Sequence, residues 1–364
     1  MLPLLFTRLE NSFVVTELPG RTLITESATY LYFSGTSYLG MARNNALQDL
    51  VQAGFANYGT NYSSSRLSNV QLKIYAEVEN YLATRTKAEA ALTVSSGLLA
   101  GQMVVKSLDG TGAYFYSPRV HPALWRTATD CYQGHYTDWA ERIATLTSEV
   151  PDSNIVILTN SLDALTAQAY SFAWITQLSA AKTYTIVIDD SHGFGLTGVN
   201  GTGIITMLPP LPDYVQVVVV SSFGKALGIP GGVILSNARL LENLKKQAFF
   251  GGGSPAIPAY LTAFIQGEHL YQLARQRLQE NIGYFTSLLH QPALFSFFPG
   301  YPIFYTKQNQ LYYFLLEQKI LISHFSYPTP TDSPITRIVL NSLHTPEDLK
   351  ELAGAINDYC SSVS

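Results

Sequence analysis

The chain has 364 residues, 47% hydrophobic and 13% charged, with a formal net charge of −4. That length can bury a substantial core and suggests two domains or one large domain with an annex, while scattered charge of slightly acidic balance gives no nucleic-acid footprint and no charged tail. The longest apolar runs fall far short of the ~20 residues a membrane helix needs, and two cysteines without CxxC or framework spacing, Cys131 and Cys360, point to a reducing, cytoplasmic compartment.

In chain order, the opening MLPLLFTRLENS is apolar but too short for a signal peptide and lacks a basic start. QLKIYAEVENYLA (71–83) sets Leu72, Tyr75, Val78 and Leu82 on one helical face. A series of short β-rich runs ending in Gly, Ser, Asp or Asn follows, within AALTVSSG (90–97), AYFYSP (113–118), NIVILTN (154–160), TYTIVIDDSHG (183–193), VQVVVVSSFGK (215–225) and GGVILSN (231–237). Segments between them, such as 98–108 and 162–180, could hold helices. Buried strands alternating with helices predict a mostly parallel sheet in an α/β domain. The run from Gly231 follows its predecessor too closely for a parallel crossover, so it is expected to be an antiparallel neighbour. Ligands of such sheets bind at the carboxyl ends of the strands, where Ser95, Ser96, Asn160, Asp189, His192 and Ser221 to Lys225 gather.

Residues 268–290 read as a long connector helix. Beyond it, short aromatic strands (PIFYT, TRIVLN) flank helical runs, and TPEDLKELAGAINDYC has Thr345 as N-cap and Pro346 at the first helical position. The expected organisation is an N-terminal segment 1–40 packing near the C-terminal part, a large domain 41–255 and a smaller α+β domain 256–364.

Two motif matches fail. GFGLTG (193–198) fits GxGxxG, but acidic residues precede it, and Asn200-Gly201 stand where a helix should run. FGKA lacks the Ser or Thr after the lysine and the earlier glycine of a phosphate-binding P-loop. There is no GxSxG elbow and no HExxH zinc motif.

A different constellation holds. Lys225 follows four valines and sits among small residues. Alone it reads as an ion-pairing lysine at a sheet edge, although burial can also lower a lysine's pKa and make it a nucleophile. Asp189 alone reads as a turn cap, and His192 as an ordinary buried histidine. Together, at the ends of successive buried strands, they match what pyridoxal 5'-phosphate requires: a lysine to carry it, an acid for the pyridine nitrogen and a phosphate cradle. His192 can reach the phenolate oxygen. Ser96, Gly97 and Leu98 at a helix start, with the Ser222 hydroxyl, can cradle the phosphate.

These stretches resemble the α-oxoamine synthases, the pyridoxal-phosphate acyltransferases of the aspartate-aminotransferase fold that include 8-amino-7-oxononanoate synthase. The resemblance spans nearly the whole chain. LYFSGTSYLG (31–40), SSSRLSN with its following Glu-containing helix, and SSGLLAGQ each match a family segment. So do VIDDSHGFGLTGVNGTG, SSFGKALGIPGGVIL and YPTPTDSPITRIVLNSLHTPEDLKEL. The resemblance implies that Lys225 carries the cofactor and moves the Cα proton, that Asp189 pairs with the pyridine nitrogen, and that His192 contacts the phenolate oxygen. It further implies that His121 stacks on the ring and that Arg337 binds the amino-acid carboxylate. His121 could equally be a loop histidine before a proline, and Arg337 an ion-pair partner.

The implied reaction condenses a small amino acid with an acyl-CoA or carrier thioester and loses carbon dioxide, in a homodimer with a shared site. Alanine with pimeloyl-CoA is the first expectation. The chain departs from the family at Thr36 (an Asn near the substrate), Asn160 (an acidic residue), Ala164 (a serine) and Tyr327 (an arginine). In FFGGGSPA (249–256), Gly251 to Gly253 stand where a Ser or Thr should meet the neighbouring subunit's phosphate, leaving backbone N–H groups or Ser254 for that contact. An aminotransferase of the same fold, or a cofactor-binding homologue without acyl transfer, stands as the alternative.

Overall fold

The computed structural model describes residues 13–127, 132, 134–327 and 331–363. The opening MLPLLFTRLENS and Cys131 lie outside them.

The chain begins with two short strands, β1 (Thr22–Ile24) and β2 (Thr29–Phe33), then α1 (Asn45–Tyr58) and α2 (Lys73–Thr86). Asn44 starts α1 as an N-cap, its carboxamide accepting from the Leu47 N–H at 3.0 Å. On α2 the side chains of Tyr75, Val78 and Leu82 are buried, as their spacing predicts. Next come β3 (Ala90–Val94), α3 (Gly97–Ser107), β4 (Ala113–Tyr116), α4 (Tyr136–Ser148) and β5 (Asn154–Asn160). A miniature hairpin, β6 (Leu162–Asp163) and β7 (Gln168–Ala169), precedes β8 (Thr183–Asp189), β9 (Val215–Ser222) and β10 (Gly232–Ser236).

β3, β4, β5, β8, β9 and β10 form one six-stranded sheet in the order β3-β10-β9-β8-β5-β4. β10 pairs antiparallel with both neighbours and all other pairs are parallel, as the short link before Gly231 requires. Successive residues face opposite sides. Ile186, Ile188 and Val219 belong to one core cluster, and Val187, Val218 and Val220 to the cluster under α3. All six are fully buried, each contributing about 1.5–3 kcal/mol through removal from water. A strand buried on both faces has no room for alternating polar residues, which explains the unbroken valines.

The helix expected within 162–180 does not form. The Asp163 carboxylate accepts from the N–H groups of Leu165 and Thr166 and from the Thr166 hydroxyl, and Ala167 takes a left-handed φ of 53°. This side-chain-capped turn satisfies backbone donors locally and outcompetes helix. The rest of the segment is a single 3₁₀ turn, Ala173–Gln177.

After α5 (Ala238–Lys245), α6 (Ala248–Gly252) and α7 (Pro258–Gln266), the connector helix α8 runs Glu268–Leu288. The α7 helix packs on α1 and α2. β11 (Ile303–Thr306), α9 (Gln310–Glu317), β12 (Ile320–Ser326), β13 (Pro334–Val339) and α10 (Pro346–Val363) complete the chain. The second sheet has the order β1-β2-β12-β13-β11, so residues 22–33 complete a sheet otherwise built 270 or more residues later. Thr345 and Asp348 cap α10 reciprocally: Thr345 N–H donates to the carboxylate at 2.9 Å and Asp348 N–H to the hydroxyl at 3.3 Å.

His344, just before this cap, is 4% exposed. Its Nδ1 accepts from the Asn341 N–H at 3.1 Å and its Nε2 lies 2.9 Å from the Tyr32 carbonyl. A carbonyl only accepts, so Nε2 carries the proton and the ring is neutral. Burial pulls its pKa down from 6.5 to about 4. Because the folded value lies below the unfolded one, this stabilisation is complete above about pH 6.5 and is lost as pH falls towards 4. The stability advantage of the wild type over His344→Gln should therefore shrink by roughly 3 kcal/mol between pH 7 and 4 in denaturant titrations. An unchanged difference would show that the histidine is not held neutral. Comparison with the variant is needed because Asp190, raised by burial to about 7, shifts wild-type stability oppositely in the same range.

Candidate active site

The carboxyl ends of β5, β8 and β9 lie side by side, with Asn160 paired to Asp189 and Asp189 to Val220. The sequence-predicted residues divide among these strand ends, the start of α3 and the second sheet.

Lys225 lies in the loop between β9 and β10. The loop is closed by Phe223 N–H to Gly231 carbonyl (2.9 Å), Ile229 N–H to Phe223 carbonyl (3.3 Å) and Gly228 N–H to Lys225 carbonyl (3.2 Å). Gly228 is obligatory: its φ is +66°, and a Cβ there would lie 2.5 Å from the Ala42 nitrogen. The lysine is partly buried and forms no ion pair among the described residues. Burial lowers its pKa, and the charge of Asp189 only partly restores it.

Asp189 is 7% exposed. One carboxylate oxygen accepts from the Ser191 N–H at 2.9 Å. The other lies 3.6 Å from His121 Nδ1. That approach is not a charge pair, because Nδ1 already accepts from the Ala123 N–H at 3.2 Å and burial lowers the pKa of His121. Asp189 is thus a buried carboxylate with no cationic partner among the described residues.

The sequence departure at Asn160 has a structural role. Its carbonyl oxygen accepts from the His121 N–H (3.1 Å) and its amide donates to the Arg119 carbonyl (2.8 Å). The side chain thereby clamps the loop that carries His121, in which Arg119 has a left-handed φ of 56°.

At the start of α3, the Ser96 hydroxyl accepts from the Leu99 N–H at 3.1 Å. The helix begins at Gly97, so its first-turn N–H groups, those of Gly97 and Leu98, have no intrahelical acceptor. Gly97 packs against the end of β9, where a Cβ would lie 2.7 Å from Ser222 Cβ and 2.9 Å from its nitrogen. Only glycine brings the helix start and Ser222 this close. The Ser222 hydroxyl accepts from the Gly224 N–H at 3.1 Å, and its own proton can be given to a ligand. Ser254 is exposed and lines a cleft with Leu99, Thr93, Arg66 and Phe250 beside this helix start. Arg66 there is neutralised by Glu79 through two contacts of 2.6 and 3.1 Å.

Arg337, on β13, is 4% exposed. It donates to the Ala164 carbonyl, and its Nε has no partner. No carboxylate among the described residues pairs with it, and its charge reaches His192, Tyr38 and Tyr301. Its guanidinium carbon lies 5.6 Å from the Phe325 ring centroid, and a buried guanidinium with no carboxylate partner can bind an anion. Tyr327 faces Asp189, whose charge adds to burial in raising the phenol's pKa. Thr36 sits in the loop after β2, partly buried, with no side-chain hydrogen bond among the described residues.

The sequence reading passed over two residues. Tyr38 and Tyr301 are both fully buried, and the Tyr38 hydroxyl lies 2.8 Å from His192 Nδ1. Tyr38 falls within the quoted SGTSYLG stretch, but no periodicity marks it, and nothing local distinguishes Tyr301. His192 itself is held neutral, its pKa well below 6.5 through burial and the nearby charges of Lys225, Arg337 and His121.

A family model for aminotransferases of class I and II matches residues 30–356. The 8-amino-7-oxononanoate synthase of Hahella chejuensis (strain KCTC 2396) is 26% identical over 355 residues, covering 93% of this chain and 89% of its own. That of Cronobacter sakazakii (strain ATCC BAA-894) is 26% identical over 374 residues, covering 97% and 95%. Among solved structures, the serine palmitoyltransferase of Sphingomonas wittichii superposes with a TM-score of 0.79 at 17% identity, over 96% of this chain and 92% of its own. An 8-amino-7-oxononanoate synthase from Francisella tularensis does so with 0.69 at 20%, over 92% and 98%. The structural likenesses establish the α/β fold with its mixed, mostly parallel sheet.

Proposed function

Since the chain belongs to the aminotransferase class I and II family, whose cofactor is pyridoxal 5'-phosphate, we propose that it is an α-oxoamine synthase. It would join a small amino acid to an acyl thioester, releasing CoA and carbon dioxide and leaving an amino ketone. The observation that carries this reading is the buried Arg337 without a counter-ion, whose charge reaches His192, with Asp189 and Lys225 at adjacent strand ends. The names of the relatives, matched over most of their length, support acyl transfer over transamination.

The residues fit the cofactor. Asp189 is a buried carboxylate without a salt bridge to Lys or Arg among the described residues, which suits a protonated pyridine nitrogen. The missing Cβ of Gly97 opens a cradle between the α3 start and Ser222 for a phosphate. Lys225 would hold the group covalently, His192 would donate to its phenolate oxygen, and His121 would cover the ring face. When bound, the cofactor supplies an electron sink for negative charge at the substrate α-carbon. Lys225, whose pKa burial lowers, would take and return the proton at that carbon. Arg337 holds the substrate carboxylate, with one arm fixed by the Ala164 carbonyl. Asn160 keeps His121 in place through its backbone.

Alanine with pimeloyl-CoA is the substrate pair we propose first. The site would be shared in a homodimer. Leu67, Leu98 and Phe249, 59%, 59% and 45% exposed, form apolar surface beside Ser254 and the α3 start that a second copy can cover. No helix among the described residues is long and apolar enough to cross a membrane, and the compartment we propose is the cytoplasm.

The test is the visible spectrum of the cofactor-loaded protein, titrated with glycine, alanine and serine and then given acyl-CoA. One amino acid should shift the cofactor band, and acyl-CoA should then release free thiol and carbon dioxide. Release of a keto acid without thioester consumption would make the protein an aminotransferase, and a band that ignores all three amino acids would remove the synthase reading.

A further inference from the structure

We propose that Tyr38 is a positioning residue that decides which ring nitrogen of His192 carries the proton, with Tyr301 packed on Tyr38 and holding the His192 backbone. The argument is a count of hydrogens around two fully buried phenols and a partly buried histidine. Tyr38 and Tyr301 are both fully buried, so neither hydroxyl can turn to bulk solvent. Three contacts link the group: Tyr38 hydroxyl to His192 Nδ1 at 2.8 Å, Tyr301 hydroxyl to the His192 carbonyl at 3.3 Å, and packing of the two phenol rings with centroids 6.2 Å apart. Burial raises the pKa of both phenols, so each keeps its one proton. His192 is neutral and has one ring proton to place.

The carbonyl can only accept, so the Tyr301 proton is placed there. The Tyr38 hydroxyl is in hydrogen-bond geometry with His192 Nδ1 alone among the described residues. Tyr38 then has its own proton left for His192 Nδ1, and the ring proton must sit on Nε2. In the opposite arrangement Nδ1–H donates to Tyr38 and Nε2 is left with a bare lone pair. That arrangement cannot donate to an anionic oxygen. This consequence rests on the reading above, in which His192 faces the phenolate oxygen of the cofactor; the tautomer itself is a property of the protein. A residue from the loop after β2 thus sets the hydrogen-bonding sense of a histidine that follows β8, while one from just before β11 anchors that histidine's backbone.

The experiment uses protein saturated with pyridoxal phosphate and labelled with ¹⁵N-histidine. Long-range ¹H–¹⁵N correlation identifies the tautomer of each ring, and the His192 signals are assigned by their loss in His192→Gln. The wild type should show Nε2–H and an acceptor Nδ1. Tyr38→Phe should shift His192 to a mixture or to Nδ1–H, change the pH at which the bound cofactor's visible band titrates, and weaken retention of the cofactor about tenfold, the scale of one buried hydrogen bond. Tyr301→Phe, which leaves the Tyr38 contact in place, should move the same readouts in the same direction by less. An Nδ1–H tautomer in the wild type overturns the proposal even if no variant folds. So does a folded Tyr38→Phe with unchanged tautomer and unchanged band. If Tyr38→Phe changes the tautomer but the band does not respond, the network stands and the placement of His192 on the cofactor falls.

Discussion

Lys225→Ala is expected to yield a folded protein that retains no covalent cofactor. After loading with pyridoxal phosphate and reduction with borohydride, the wild type should gain the pyridoxyl mass on the peptide containing Lys225, and the variant should gain none. Turnover should fall by at least the 10²- to 10⁴-fold that a positioned acid–base group contributes. The fold should survive because the backbone bonds of the 223–231 loop, not the lysine side chain, hold its shape. The side chain forms no ion pair among the described residues and is disfavoured in its charged form by burial. Loss of the ammonium should therefore leave the thermal midpoint nearly unchanged. The lowered pKa carries a further sign. A depressed amine is neutral, and able to attack an aldehyde, at lower pH than an ordinary lysine, so cofactor attachment should extend to lower pH than on an exposed lysine. A pyridoxyl adduct of wild-type stoichiometry in the variant would remove Lys225 from this role.

Asp189→Asn should separate attachment from chemistry. Asparagine retains the shape and the oxygen that accepts from the Ser191 N–H at 2.9 Å, so Lys225 should still carry the cofactor and show its visible band. The negative charge is lost. Asp189 has no cationic partner among the described residues, and the nearby His121 Nδ1 is occupied as an acceptor. A protonated nitrogen meeting the carboxylate would add a charged partner to the Ser191 N–H it already holds. Without the carboxylate, the bound ring loses the charge state that draws electrons from the substrate. We expect turnover to fall about 10²- to 10³-fold, the size of removing one preorganised electrostatic contact, and the band to shift in position. A variant within threefold of wild type would show that this carboxylate does not hold the pyridine nitrogen.

Both predictions concern residues that could be picked out in the primary structure, and the reason is local. Lys225 and Asp189 end runs of apolar residues too continuous for anything but strands buried on both faces, and polar groups at such ends have few structural duties. The antiparallel sense of β10 followed from the shortness of its connection, and the start of α3 from Ser96 and Gly97. The failure at 162–180 is also local in cause. The Asp163 carboxylate captures three donors and closes a turn, a side-chain bond that apolar spacing does not encode.

The sequence alone thus determined the strand order's raw material, the one reversed strand of the six-stranded sheet and the residues Lys225, Asp189, His192 and Gly97 that we propose face the cofactor, because side-chain type and position along an element are properties of neighbouring residues. Only the tertiary structure decided that Tyr38 meets a histidine 154 residues away, that Tyr301 reaches the same histidine across 109 residues, and that Arg337 is captured by the carbonyl of Ala164 across 173. Those bonds are short-range and directional, so they exist only where packing of the two sheets brings donor and acceptor within about 3 Å, and no periodicity in the chain records that meeting.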